Sequence, residues 1–186
     1  MEAVFLVLVG AVLFSQAWHM MGLYSDGRTV GVVVGGLALV SLVAVTLDPM
    51  LLTGSGDRSI SEANHLSELT VTKGLIVVWA VYGVVVAAQA LWDYEERAVA
   101  FYSVVAMAVT VVGFLYYAGS LEPRYGEATW LSLSAATLLL SIMSAMVFFA
   151  LGFTFRSIRP VAAWFLLLGG GTVTAVGLAI GTRVIA

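Results

Sequence analysis

The sequence predicts an all-α integral membrane protein of six transmembrane helices, arranged as three pseudo-repeated hairpins. Three observations carry this. Every Asp, Glu, Lys and Arg lies outside six uncharged stretches, 3–23, 29–47, 74–92, 98–118, 128–155 and 160–182. Each is long enough to cross a bilayer, since a helix needs about 20 apolar residues to span a hydrocarbon core of ~30 Å, where only helices and closed barrels pair all their backbone groups. The joints are unequal: 24–28, 93–97 and 156–159 are very short, 48–73 is long and 119–127 is intermediate. Short joints force antiparallel neighbours, so the hairpins span 3–47, 74–118 and 128–182, with 48–73 as an outer loop. The composition agrees, at 61% hydrophobic residues with a mean hydropathy of +1.05, where a globular chain is nearer to about half apolar. Residues 1–186 form one membrane domain, with little chain left for a soluble one.

The elements follow in order. The first stretch begins behind Glu2 with no basic leader and no clear small-residue cleavage motif, which predicts a retained helix and not a signal peptide. The long joint carries Pro49, Gly54 and Gly56, then Ser59 followed three residues later by Glu62. This capping-box pattern ahead of Leu66 and Leu69 predicts a short surface helix near 60–69. The second helix of each hairpin starts alike: Arg28-Thr29-Val30-Gly31, Arg97-Ala98-Val99-Ala100 and Arg159-Pro160-Val161-Ala162 all read Arg, any residue, Val, small residue. Three matches at equivalent points favour a triplicated hairpin. Arg28, Arg97, Arg156 and Arg159 occupy the short turns, against Arg58, Lys73, Arg124 and Arg183 on the other face. Because Arg58 and Lys73 sit in or beside the longest loop, where the positive-inside rule is weaker, the hairpin turns are placed in the cytoplasm and both termini outside the cell membrane.

Several function classes are disfavoured at once. A net charge of −3 offers no basic surface for nucleic acid. The chain has no cysteine, which removes disulfides, thiolate metal sites and cysteine nucleophiles. His19 and His65 are the only histidines and no carboxylate lies inside a stretch, so no metal site, cofactor or buried proton relay is expected. No serine, histidine and acid share one layer, and an enzyme is not expected. His65, beside Glu62 and Glu68, reads as an exposed loop histidine or as a pH sensor near its unperturbed value of about 6.5.

Polar side chains inside apolar helices are the informative class, since each costs several kcal/mol if left without a partner (~4–8 kcal/mol into alkane). Ser15, Gln16 and His19 lie within one turn near the end of the first helix, and Gln89 falls at a similar depth late in the third. They read either as a polar mouth offering amide and imidazole hydrogen bonds to a small uncharged solute, or as interhelical bonding and snorkelling. Trp79 and Tyr82, spaced i, i+3, either narrow a pore or fill the core. Gly27, Gly31 and Gly35, Gly177 and Gly181, and the row Ser134, Thr137, Ser141 and Ser144 form small-residue stripes that let backbones approach closely. The hydroxyl row could also face a pore. Trp18, Trp92, Trp130 and Trp164 fall near helix ends, where aromatic belts belong.

Val9-Gly10-Ala11-Val12-Leu13-Phe14 with Ser15-Gln16, Val34-Gly35-Gly36, and Tyr82 with Ala87-Ala88-Gln89 are among short motifs along nearly the whole chain, and together these resemble the urea and amide channels of the acetamidase-associated and acid-activated urea channel type. Val9-Gly10-Ala11-Val12-Leu13-Phe14 followed by Ser15-Gln16 and Gly22 is similar to that family's first span. The turn Ser25-Asp26-Gly27-Arg28 with Val34-Gly35-Gly36 resembles its first turn and second span. Gly74-Leu75, Tyr82 and Ala87-Ala88-Gln89 resemble its third, and Trp130-Leu131 and Ala163-Trp164 the starts of its fifth and sixth. The resemblance implies a homohexamer with a pore in each protomer and lipid plugging the centre. Urea or a short aliphatic amide would pass through aromatic and aliphatic constrictions, with Leu6, Val9 and Leu13 lining the outer half, Gln16 beyond them and Tyr82 contributing from the third span. Two features depart from it: Ser, Thr and Leu follow Trp130 where tryptophans are usual, and Gly169 or Gly170 stands at an acidic position. They imply a wider, less urea-selective pore or a different solute, and the missing histidine-rich loops imply no strong acid gating.

The sequence therefore leads to a passive channel for small neutral amides, with Leu6, Val9, Leu13, Gln16, His19, Trp79, Tyr82 and Gln89 as the solute pathway. The alternative is a non-transporting helical subunit of a larger membrane complex.

Overall fold

The computed structural model of the chain describes residues 2–22, 26–46, 60–119, 127–153 and 157–184, with the side chains of 60–70 and 127–129 outside that description. The helices are α1 Glu2–Met20, α2 Gly27–Thr46, α3 Ile60–Trp92, α4 Glu96–Gly119, α5 Glu127–Gly152 and α6 Ile158–Gly181. All six contain a stretch long and apolar enough to cross a membrane, and the protein is a multi-pass membrane protein. Helix ends fall within a few residues of the uncharged stretches, save one. The short surface helix expected near 60–69 is not a separate element, because α3 runs unbroken for 33 residues. No proline or glycine stands between 60 and 73 to end it, and the first glycine, Gly74, costs a helix only about 1 kcal/mol. His65 lies on this extension, and its side chain is outside the described residues.

Short turns end the helices by left-handed residues. Gly22 takes φ +67° after α1, with its N–H donating to the His19 carbonyl at 3.0 Å, and Asp93 takes φ +52° after α3. Glycine adopts this region freely and aspartate tolerates it. Pro160 sits in the first turn of α6, where its missing N–H has no helical partner to lose.

Each helix packs against its chain neighbours, and α6 returns to α1, closing a ring. All neighbours are antiparallel: Thr72 meets Tyr117, and Trp79 meets Thr110, as α3 and α4 run past each other. The start of α1 and the end of α6 meet, since a Cβ on Gly181 would stand 3.5 Å from that of Ala3. Hairpin mates do lie side by side, but the most extensive packing falls on the other three seams, α1 with α6, α2 with α3 and α4 with α5. A short turn fixes who is adjacent, whereas small residues fix how close, because lipid is as apolar as a leucine core and gives no hydrophobic drive to helix association. Gly31 and Gly35 lie against Ala87 of α3, Gly152 against Ala100 of α4, and Gly10, Gly170 and Gly177 join α1 to α6 backbone to backbone. The glycine stripes are therefore packing surfaces. At the hairpin-turn end, Arg159 donates to Glu96 at 2.6 Å, tying the start of α6 to that of α4.

Topology is open to a direct test because the chain has no native cysteine. Single cysteines at Gly27 and Ser157 are expected to react with an impermeant maleimide from the same face of sealed vesicles; labelling from opposite faces would sink the six-helix arrangement.

Candidate functional site

The interior of the ring is built around one face of α3. Thr72, Leu75, Ile76, Trp79, Tyr82, Val86 and Ala90 are all buried, the 3- and 4-residue spacing of a single helix face. The opposite side, with Val77 and Val84, is exposed on the outside of the bundle. This inward face carries three hydrogen-bonding side chains, each partnered by a neighbouring helix.

Nearest the hairpin-turn end, the Tyr82 hydroxyl donates to Gln16 Oε1 of α1 at 2.7 Å. Tyr82 is fully enclosed and Gln16 is 4% exposed. In mid-bundle, Trp79 Nε1 donates to Thr110 Oγ1 of α4 at 3.1 Å, and Thr110 in turn donates to the Ala106 carbonyl. Towards the other end, the hydroxyls of Thr72 and Tyr117 lie 2.8 Å apart. From Thr72 to Tyr82 the helix rises about 15 Å, half of a ~30 Å hydrocarbon core. The aromatic pair sits at the centre, Trp79 edge-on to Tyr82 with ring centroids 5.2 Å apart and planes at 64°. Tyr102 of α4 backs Tyr82 at 6.5 Å and donates to the Val78 carbonyl at 3.2 Å.

The predicted pathway residues divide. Leu6, Val9, Leu13, Trp79 and Tyr82 are buried in one core, and Gln16 is buried against Tyr82. The Leu6 side chain and the Leu13 backbone lie against α6 beside Gly177 and Gly170, so Leu6 belongs as much to the α1–α6 seam as to an interior wall. The Ser15, Gln16, His19 cluster does not act as a unit. Gln16 turns inward to Tyr82, whereas Ser15, one residue and about 100° earlier, lines a groove of about 380 Å³ between α1 and α2 with Phe14, Trp18, Thr29, Val30 and Val33. His19 packs beside Gly27 at the start of α2, and its Nδ1 is buried with no hydrogen bond among the described residues. Gln89 is only half-buried and lies two turns beyond Tyr82.

The hydroxyl row of α5 is spent within its own helix. Ser134, Thr137, Ser141 and Ser144 donate to the carbonyls of Trp130, Leu133, Thr137 and Leu140 at 2.9–3.0 Å. This favours packing over a pore-facing role. Of the belt tryptophans, Trp18, Trp92 and Trp164 are exposed. Where the resemblance puts an acid, Gly169 faces Met143, and a Cβ on Gly170 would meet the Gly10 carbonyl at 2.8 Å. Neither position has room for a carboxylate.

Sequence reasoning missed Thr72, Tyr102, Thr110 and Tyr117. A signal was present: Ala100, Ser103, Ala106, Thr110, Gly113 and Tyr117 recur at helical spacing on α4 and are all buried. It marks an inner face, but not the partner across it.

No family model, curated protein or solved structure matches the chain. The resemblance to urea and amide channels rests on the quoted residues alone.

Proposed function

We propose that the protein is a passive channel for small uncharged amides, urea or short aliphatic amides, working as a homohexamer in the cell membrane with its hairpin turns in the cytoplasm and its termini outside. The observation that supports this best is the uncharged row Thr72, Trp79 and Tyr82, which offers hydroxyl, indole and phenol groups at successive depths inside a closed ring. An amide carries both donors and acceptors and can bond in passing to the hydroxyls of Thr72 and Tyr82, while the Trp79 indole stays bonded to Thr110 and only narrows the path. An ion finds no fixed charge and no ring of carbonyls to replace its hydration shell. In the conformation described the way is shut, with Tyr82 bonded to Gln16 and both leucines Leu6 and Leu13 without exposure.

The same filled interior favours a second reading, a non-transporting helical subunit of a larger membrane complex, because the α5 hydroxyls are already satisfied. One experiment separates the two. Purified protein in proteoliposomes is expected to form a ring by itself and to speed swelling in urea and acetamide well above protein-free vesicles. Acetamide should be nearly as permeant as urea, with no potassium or chloride current. Swelling no faster than in empty vesicles would discard the channel and leave the subunit.

A further inference from the structure

We propose that Thr110 sets the size cut-off of this channel, as a positioning residue acting through Trp79. The inference rests on the channel reading above. Trp79 and Tyr82 are the bulkiest side chains that the bundle encloses, at 2% and 0% exposure. A solute crossing the interior must pass them, and the gap it meets depends on how the two rings lie.

An indole has a single donor and no acceptor, so one bond fixes the rotation of the ring. For Trp79 that bond goes to Thr110 Oγ1 at 3.1 Å. The acceptor is itself fixed, because the Thr110 hydroxyl proton is committed to the Ala106 carbonyl one turn earlier in α4. A lone pair is therefore left facing α3. Thr110 is fully buried, where neither water nor lipid can replace it as an acceptor. With its N–H tethered, Trp79 presents its ring edge-on to Tyr82. Tyr82 is held from its other sides by Gln16 and by Tyr102. Thr110 thus holds the pair from outside without touching the solute.

The test uses full-length protein in proteoliposomes and reads the ratio of butyramide to acetamide permeability. Thr110→Val keeps the shape and deletes the acceptor, and it is expected to raise the ratio about fivefold, the factor that one hydrogen bond is worth. Thr110→Ser restores the hydroxyl and should keep the wild-type ratio. Trp79→Phe deletes the donor, and the double variant with Thr110→Val should go no further than the larger single effect. If wild-type protein passes no amide, the channel reading itself fails. If it conducts and Thr110→Val leaves the ratio unchanged, or Thr110→Ser raises it equally, Thr110 is not the determinant and the channel reading stands. Should Thr110→Val fail to fold, Trp79→Phe carries the test, and a wild-type ratio in that variant overturns the proposal.

Discussion

Replacing Gly170 by leucine is expected to eliminate folded protein from detergent extracts. A Cβ at this position would stand 2.8 Å from both the Gly10 carbonyl oxygen and the Phe14 amide nitrogen. Both are backbone atoms, and neither can move without moving α1. Even Gly170→Ala should destabilise. Overpacking costs about 1–3 kcal/mol, and more where backbone must shift, against a gain of at most about 1 kcal/mol from helix propensity. Gly10 is held as tightly, by Thr174 and the Gly170 carbonyl, and Gly10→Ala should behave alike. Gly36, with nothing within 4 Å of its would-be Cβ, supplies the control, where alanine should be neutral or slightly stabilising. Monodispersity after graded heating, read by size-exclusion chromatography, checks the series. A Gly170→Leu protein that elutes and melts like wild type would show that α1 and α6 do not pack in this way.

Gln16→Leu is expected to lower stability, because it strands the enclosed Tyr82 hydroxyl, and to slow amide flux, because it removes the side-chain amide that a solute would bond in passing. A buried donor left without an acceptor costs about 1–3 kcal/mol, though interhelical bonds in membranes average nearer 0.6 kcal/mol, with a ceiling of about 1.7. A loss of about 1 kcal/mol is therefore the expectation. Tyr82→Phe should cost a similar amount from the other side. The double variant should recover part of the sum, since it strands nothing, and the cycle then measures the bond itself. Additive losses would mean that the bond contributes nothing. Slower flux in Gln16→Leu at unchanged assembly would place the amide on the solute path, while unchanged flux would leave it as a packing residue.

The residues differ in how far the sequence foretold them, and the difference has a physical cause. Charge exclusion located all six spans, because an ion in hydrocarbon is costly wherever the helix faces. Rotation about each helix axis was not legible in the same way. In a soluble bundle apolar residues mark the inner face, but here Val77 is exposed on the outside of the bundle and Val86 is buried in the core, and hydrophobicity does not distinguish them. Glycine placement was legible as a packing signal, yet it did not name the partner helix: Gly31 could as well have met α1 as Leu91 of α3. Gln16 and Tyr82 stood out because each is polar and large in an apolar run. Their union joins residues of different helices and follows from three-dimensional closure alone. The same holds for Trp79 with Thr110. The continuous α3 was misjudged for another reason, since a capping box marks where a helix begins and says nothing about where it stops.

The seam between α1 and α6 also bears on how the protein is made. These two helices pack most extensively of all, yet four others are synthesised between them. At about 5–20 residues per second, α1 must wait in the insertion machinery or the bilayer for many seconds with the Gly10 side of its backbone uncovered. Long-range closures of this kind come late in folding, after local contacts have formed. A chain that stops before α6 would therefore leave α1 without its main packing partner.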